Sequence, residues 1–525
     1  MERSRMIERL GDRSQTWDLL VVGGGATGLG VAVDAAARGY TTVLLEQGDL
    51  GQGTSSRSTK LVHGGVRYLR QGNIHLIVGA LRERGLLLTL APHLVHRFRF
   101  VVPAYAWWEA PYYSFGLALY DLLAGKHSLG RSSWISREQT LAVLPTIRPE
   151  GLRGGVQYYD GVFDDARLLV NLAQTAVEQG AAVVNYVRVE RLLKGRDGLV
   201  EGVVAVDREG DVELEIRARV VVNATGPFSD CLRGMDQPEG RAIIAPSQGA
   251  HVVLSRRFLP EEAALMVPRT PDGRVLFAIP WHGHVIVGTT DTPVESVPLE
   301  PKPFAEEIDF LLDTAGGYLA RPPKRADVLS SFAGIRPLVR GGEGKSTAAL
   351  SRDHYLEVSS SGLVTICGGK WTTYRQMAED TVNRAAEVGH LPRRPCTTMS
   401  LLIHGHAATP PPSDPLAEYG SDAEEIRALE RDRPDLGRSL HVDWSIRASQ
   451  VVWAVRSEMA RTVDDVLFRR TRVASLDIRA AMAMAPDVAA LLAVELGRDE
   501  AWSREQLDAF QRLATAYLVA DADTP

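Results

Sequence analysis

Asp18-Leu19-Leu20-Val21-Val22-Gly23-Gly24-Gly25-Ala26-Thr27-Gly28-Leu29-Gly30 is the stretch that decides the fold. Asp18 to Val22 reads as a short buried strand, Gly23 to Gly28 as a tight turn, and Leu29 to Arg38 as an alanine-rich helix closed by Gly39. Thr41 to Leu45 is a second aliphatic strand with Glu46 at its end. The turn carries G-x-G-x-x-G at Gly23, Gly25 and Gly28. Gly23 permits the sharp turn, Gly25 lets backbone approach a pyrophosphate, and Gly28 lets the helix pack closely on the strand. A carboxylate about twenty residues on, at the end of the second strand, can accept ribose hydroxyls, and Glu46 stands there. This β-α-β unit is a dinucleotide site, and the glycines alone do not choose between NAD and FAD.

Outward from that unit, a helix at 166–179 leads to strands at 182–189, 199–206 and 212–222, ending in Asn223-Ala224-Thr225-Gly226. Further strands at 275–280 and 285–288 and a helix at 304–319 precede an apolar strand, 356–366. That strand runs into Gly368-Gly369-Lys370 and a helix over 373–388. Such a helix start can offer backbone N–H groups to the electron-rich edge of a flavin. The expected fold is α/β plus α: a Rossmann-like FAD-binding domain interleaved with a mixed-sheet substrate domain, then a C-terminal helical domain. FAD-binding parts are expected at about 18–90, 150–240 and 340–390, and substrate parts at 91–149 and 241–339. Residues 391–415, with prolines at 410, 411, 412 and 415, read as a linker, and 416–525 as the helical domain. Residues 1–17 read as a frayed leader without the apolar stretch of a signal peptide.

Composition narrows the function classes. The 525 residues are 45% hydrophobic and 24% charged with a net charge of -6, so nucleic acid is not an expected partner. Cys231, Cys367 and Cys396 share no C-x-x-C, so neither a disulfide framework nor a metal site is expected. No run of about twenty apolar residues predicts a transmembrane helix. The segment 101–124 is dense in aromatics, among them Tyr105, Trp107, Trp108, Tyr112, Tyr113, Phe115 and Tyr120. Two readings stand for it, a core or pocket wall and a surface resting on a membrane. Arg469, Arg470 and Arg472, beside Val466 to Phe468, read as a solvated basic face.

After Glu46, the stretch Gly53 to Leu69 holds Thr54, Ser55, Ser58 and Lys60, then His63-Gly64-Gly65-Val66-Arg67-Tyr68. Small hydroxyl donors beside a cofactor fold can line a phosphate or flavin edge. Together with Asp164-Asp165-Ala166-Arg167, Val222 to Pro227, Gly288-Thr289-Thr290-Asp291, Gly334 to Leu338 and Gly368 to Tyr374, these blocks resemble the FAD-dependent glycerol-3-phosphate dehydrogenase family of bacterial aerobic type.

The resemblance covers residues 18 to 388. It implies FAD held by Gly23, Gly25, Gly28, Glu46, Thr54, Ser55, Ser58, Lys60, Ala224, Gly226, Gly368 and Gly369, and with no linking residue to nominate the attachment is expected to be non-covalent. It also implies oxidation of glycerol 3-phosphate to dihydroxyacetone phosphate with quinone as acceptor, a cytoplasmic enzyme that can rest on the inner membrane face, and a homodimer. Substrate contacts fall to Arg67, Tyr68 and Arg352, and chemistry to His251, Arg336 and Lys370. The residue types suit the task. A phosphate dianion needs several cations, and loss of the C2 hydroxyl proton needs a base such as His251, with His63 as its rival. Trp371 departs from the smaller aliphatic residue expected after Lys370. An oxygen-reducing oxidase, an amino-acid oxidase on the same fold and a non-catalytic flavin protein are the competing readings.

Overall fold

The structure, a computed structural model, describes residues 1–65, 73–270, 273–340, 354–407 and 414–520. Two sheets organise it. The first has eight strands, built around Thr16–Val22, which pairs in parallel with Thr42–Leu45 on one side and Val212–Asn223 on the other. Ala182–Val184 and Val364–Gly368 extend the parallel set. Such strands are covered on both faces, which is why they read as unbroken aliphatic runs. Helices Ala26–Ala37, Asp165–Glu178 and Tyr374–Val388 cover one face, sharing a core that includes Leu29, Leu172 and Val382. An antiparallel meander, Val187–Lys194 with Val200–Asp207, covers part of the other.

The N-terminal residues are not a frayed leader. Arg3–Gly11 is a helix that buries Met6 and Leu10 against the meander face, and Arg3 pairs with Asp207 and Glu209. Met6, Ile7 and Leu10 already carry helical spacing in the sequence.

The second sheet has ten strands, with long pairings between Ile244–Ser255 and Val328–Val339 and between Val95–Ala104 and Gly154–Phe163. Its strands Leu61–Val62 and Gly154–Phe163 come from stretches expected to serve the FAD domain. The chain therefore crosses between sheets more often than its sequence blocks suggest, because antiparallel edge pairing leaves no local signature. One face packs on helix Ala305–Gly316. The other carries Phe100, Tyr158, Met266 and Ile279, over which the inner side of helix Glu109–Ala124 lies.

The C-terminal helices Ala448–Glu458, Ile478–Leu496 and Glu500–Ala514 build their own core, which takes in Val253, Ile286 and Phe332 of the second sheet. The expected linker is fastened as far as it is described. Leu391 and Ile403 are buried in the first domain's core, Tyr40 donates its hydroxyl to the Pro392 carbonyl at 2.6 Å, and Arg394 donates to the carbonyl of Arg38. Most of its proline cluster lies outside the described residues. Arg469, Arg470 and Arg472 are also not a solvated face. All three are buried and paired with Asp49, Asp164, Asp465 and Glu418. Charged side chains in sequence do not announce the carboxylates that will meet them in space, so pattern alone assigned them to solvent.

Candidate active site

A cavity of about 500 Å³ opens between the two sheets. Its floor is the glycine-rich turn. Gly23 has φ +112°, and a Cβ on Gly28 would sit 1.9 Å from the Gly23 carbonyl oxygen, so helix and strand touch backbone to backbone there. Gly23 and Gly25 line the cavity while Gly28 packs behind it, as their separate roles require. The helix that starts at Ala26 has no acidic residue in its own first turn, so no carboxylate of the helix opposes its positive end, a setting that suits a pyrophosphate.

Glu46 accepts from the amides of Gly24 at 2.6 Å and Gly48 at 2.9 Å. Burial pushes its pKa up, against the two amide bonds, which favour the charged form. Each carboxylate oxygen keeps a second lone pair for a ribose hydroxyl. The residues present thus fit a dinucleotide on its donor and acceptor chemistry. Ala224, Gly226, Gly368 and Gly369 also border the cavity, the last three with φ of +57°, +76° and +69°.

The Ser/Thr loop behaves differently from the expectation. Lys60 does not reach the cofactor space. Its Nζ is buried, donating to both oxygens of Asp165 at 2.7 and 2.8 Å and to the Ser56 carbonyl at 2.7 Å. An ammonium taken from water needs this full set of partners, and Asp165 lies on the far side of the loop. Ser58 also gives its hydroxyl proton to Asp165, and Thr54 gives its own to the Ile335 carbonyl at 2.6 Å. Ser55 accepts from the Ala26 amide at 3.0 Å. Thr54, Ser55 and Ser58 border the cavity, yet these bonds fix the loop itself.

Trp371, the departure noted in sequence, now has a place. Its indole N–H donates to the Ser55 carbonyl at 2.8 Å and its ring meets Phe163 and Tyr374 edge-on, tying this loop to the Gly368-Gly369 turn.

The residues expected to do chemistry also line the cavity. Arg336 lies on strand Val328–Val339 and donates to Asp291 at 3.1 Å, the Thr289 hydroxyl at 3.0 Å and the Thr290 carbonyl at 2.9 Å. Two separate sequence blocks, Gly288–Asp291 and Gly334–Leu338, therefore meet on one guanidinium. Gly249 makes room for it, since a Cβ there would fall 2.4 Å from an Arg336 nitrogen. Lys370 follows the two left-handed glycines and borders the same cavity.

His251, 2% exposed, stacks on Phe332 at 4.8 Å and shares a 2.9 Å hydrogen bond between Nε2 and the Thr59 hydroxyl. Its Nδ1 is buried without a hydrogen-bond partner among the described residues. Burial, then the Arg336 and Lys60 cations, push its pKa well below the usual imidazole value. His63 also borders the cavity, its ring edge-on to Phe277. Arg67, Tyr68 and Arg352 lie outside the described residues.

Sequence reasoning quoted Asp291 within a block but gave it no role, and it missed a buried group made of Asp160, Arg84 and Tyr120; in the structure Asp291 orients Arg336. Asp160 borders the cavity, pairs with Arg84 at 2.7 Å and accepts from the Tyr120 hydroxyl at 2.9 Å, while that hydroxyl accepts from the Gly64 amide. A lone carboxylate within the apolar strand Gly154–Phe163 was the available signal.

Residues 18–375 match the family described as FAD dependent oxidoreductase, and residues 363–505 match the C-terminal domain of alpha-glycerophosphate oxidase. A probable mitochondrial glycerol-3-phosphate dehydrogenase of Caenorhabditis elegans is 42% identical over 94% of this chain and 73% of its own length. The human mitochondrial glycerol-3-phosphate dehydrogenase is 40% identical over 94% of this chain and 72% of its own length. Among solved structures, the glycerol-3-phosphate dehydrogenase of Bacillus halodurans complexed with FAD superposes with a TM-score of 0.78 at 30% identity, covering 100% of this chain and 99% of that one. The dinucleotide is thus FAD, and the chain belongs to the FAD-dependent glycerol-3-phosphate dehydrogenase family.

Proposed function

We propose that the chain oxidises glycerol 3-phosphate to dihydroxyacetone phosphate and passes the electrons to a quinone at the cytoplasmic face of a membrane. The observation that carries the substrate reading is the convergence of Arg336, Lys370 and His251 on the wall of the cavity that holds the dinucleotide turn. Bound FAD supplies the acceptor for the hydride leaving C2. The protein's part is to hold the phosphate and to manage the hydroxyl proton. Lys370 and Arg336 provide positive charge for the phosphate dianion and for alkoxide character at C2, with Asp291 fixing the guanidinium plane. His251 takes the proton as a neutral imidazole. Its depressed pKa makes it a weak base, so the neighbouring cations must help by stabilising the alkoxide as it forms.

The acceptor reading rests on the aromatic helix Glu109–Ala124. Every exposed position from Trp107 to Leu122 is apolar or aromatic: Trp107, Trp108, Pro111, Tyr112, Phe115, Ala118 and Leu122. Trp107, Phe115 and Leu122 are each about three-quarters exposed, and Lys126 follows the helix. Such a face suits the headgroup boundary of a bilayer, and a lipophilic quinone would be carried within that bilayer. The helix's inner side, Leu117 and Tyr113, packs against Phe100, Tyr158 and Met266, which also border the cavity. No helix of the described residues is long and apolar enough to cross a membrane.

Oxygen is the competing acceptor, favoured by the match of residues 363–505 to a domain named for an oxidase. Enzyme reduced by glycerol 3-phosphate and mixed with quinone-loaded vesicles or with aerated buffer separates the two. Faster reoxidation by quinone is expected, and faster reoxidation by oxygen with peroxide release would reject the quinone reading.

A further inference from the structure

The cavity loop from Glu46 to Gly53 is held from behind by the C-terminal domain. Asp49, three residues past Glu46, is fully buried. Arg470 grips both of its oxygens, at 2.7 and 2.9 Å, and Arg469 donates to one of them through Nε. Burial would raise the Asp49 pKa, but the two guanidinium groups outweigh it and bring it down to about 2. Neighbouring residues on a regular helix do not face the same partner. Here the backbone widens into a π turn over Asp465–Arg470, and both arginines reach one carboxylate. The arginines are themselves fixed, Arg470 on the Glu458 carbonyl at 2.8 Å and Arg469 on Asp465 at 2.6 Å.

The loop between these ends is part of the site. Gly51 donates to the Gly24 carbonyl at 3.0 Å, and Gly24 donates to Glu46, so a shift at Asp49 is passed to the glycine turn and to the carboxylate together. A second tie runs beside it. Arg57, on the next cavity loop, pairs with Glu300, which accepts from the Tyr517 hydroxyl of the C-terminal domain at 3.1 Å.

We infer that the C-terminal helical domain is a retention clamp for FAD: Arg469 and Arg470, acting through Asp49, hold the Glu46–Gly53 loop in its cofactor-binding shape. The three are positioning residues for cofactor affinity. The inference rests on reading the Glu46–Gly53 loop as a wall of the FAD site, which it borders, and not on the particular role of the Glu46 carboxylate.

The test is titration of flavin-free protein with FAD, followed by flavin fluorescence, alongside the melting temperature of each flavin-free variant. Asp49→Asn is expected to raise the FAD Kd about 10- to 100-fold, and Arg470→Lys, which keeps the charge but loses the two-pronged grip, to raise it by less. Leu492→Ala opens a hole in the C-terminal core away from the loop. It is expected to lower the melting temperature while leaving Kd within about twofold. A folded Asp49→Asn protein with unchanged Kd would overturn the clamp. So would Leu492→Ala raising Kd as much as Asp49→Asn does. Should Asp49→Asn fail to fold, Arg470→Lys with unchanged Kd overturns it equally. Glu46→Gln is the separate control: unchanged Kd there would reject the ribose reading and leave the loop clamp standing.

Discussion

Arg336 is held by a carboxylate, a hydroxyl and carbonyl oxygens, a set that leaves its plane little freedom. A lysine cannot reproduce that fork, so Arg336→Lys is expected to lower kcat/KM for glycerol 3-phosphate by roughly 100-fold while FAD stays bound. Flavin-reduction rates against substrate concentration check it. His251 makes a claim about pH. Because its folded pKa lies well below the ordinary 6.5, the ring is neutral throughout the neutral range, and no limb of the reduction-rate profile between about pH 6.5 and 8 should belong to it. His251→Asn should lower the rate to a similar degree at every pH in that window. The same shift acts on stability. The unfolded chain binds a proton at His251 as pH falls through 6.5 while the folded chain does not, so the folded state loses ground on that side. In sequence Arg336 stood within a quoted block and His251 was named only through the resemblance; Asp291 stood within a block as well, but its pairing with Arg336, like that of Asp160 with Arg84, was not legible, since a partner acquires its meaning only when distant strands meet.

The glycine turn was the most readable element, because its constraints are local. A Cβ on Gly28 would collide with the Gly23 carbonyl oxygen, so Gly28→Ala is expected to yield protein largely without flavin, read from the visible absorbance of the purified sample. The Ser/Thr loop was half readable. Its hydroxyls do border the cavity, but Lys60 and Ser58 serve Asp165, which lies more than a hundred residues away in sequence. The segment 101–124 left two readings open in sequence, a core or pocket wall and a membrane-resting surface; within it Leu117 and Tyr120 are buried while Trp107 and Phe115 stand in solvent, and the membrane reading is the proposal made above. Exchanging Trp107 and Phe115 for serine should weaken vesicle binding by at least about tenfold, measured by co-sedimentation, since fully burying one large apolar side chain is worth about 1.5–3 kcal/mol and a bilayer boundary buries each of these two only in part. Flavin reduction by substrate in detergent should persist in that variant.

At the scale of the whole molecule, the order of blocks in the sequence foretold an FAD-binding sheet, a second mixed sheet and a helical tail. The boundaries between them were blurred for a physical reason. Leu61–Val62 and Gly154–Phe163 join the second sheet by edge pairing, and the tail shares a core with that same sheet through Val253, Ile286 and Phe332. The tail's arginines were misread because their ion-pair partners, Asp49 among them, are remote in sequence, whereas the N-terminal helix was overlooked although Met6, Ile7 and Leu10 carry its spacing locally. What the fold accomplishes is to bring cations and an imidazole to the wall of the cavity that the dinucleotide turn borders. The most direct test of that arrangement is anaerobic titration of the flavin-loaded protein with glycerol 3-phosphate, followed by visible absorbance. Stoichiometric bleaching of the oxidised flavin band, absent with glycerol or D-alanine, is the expected result. A band untouched by glycerol 3-phosphate, or bleached as well by D-alanine, would contradict the account.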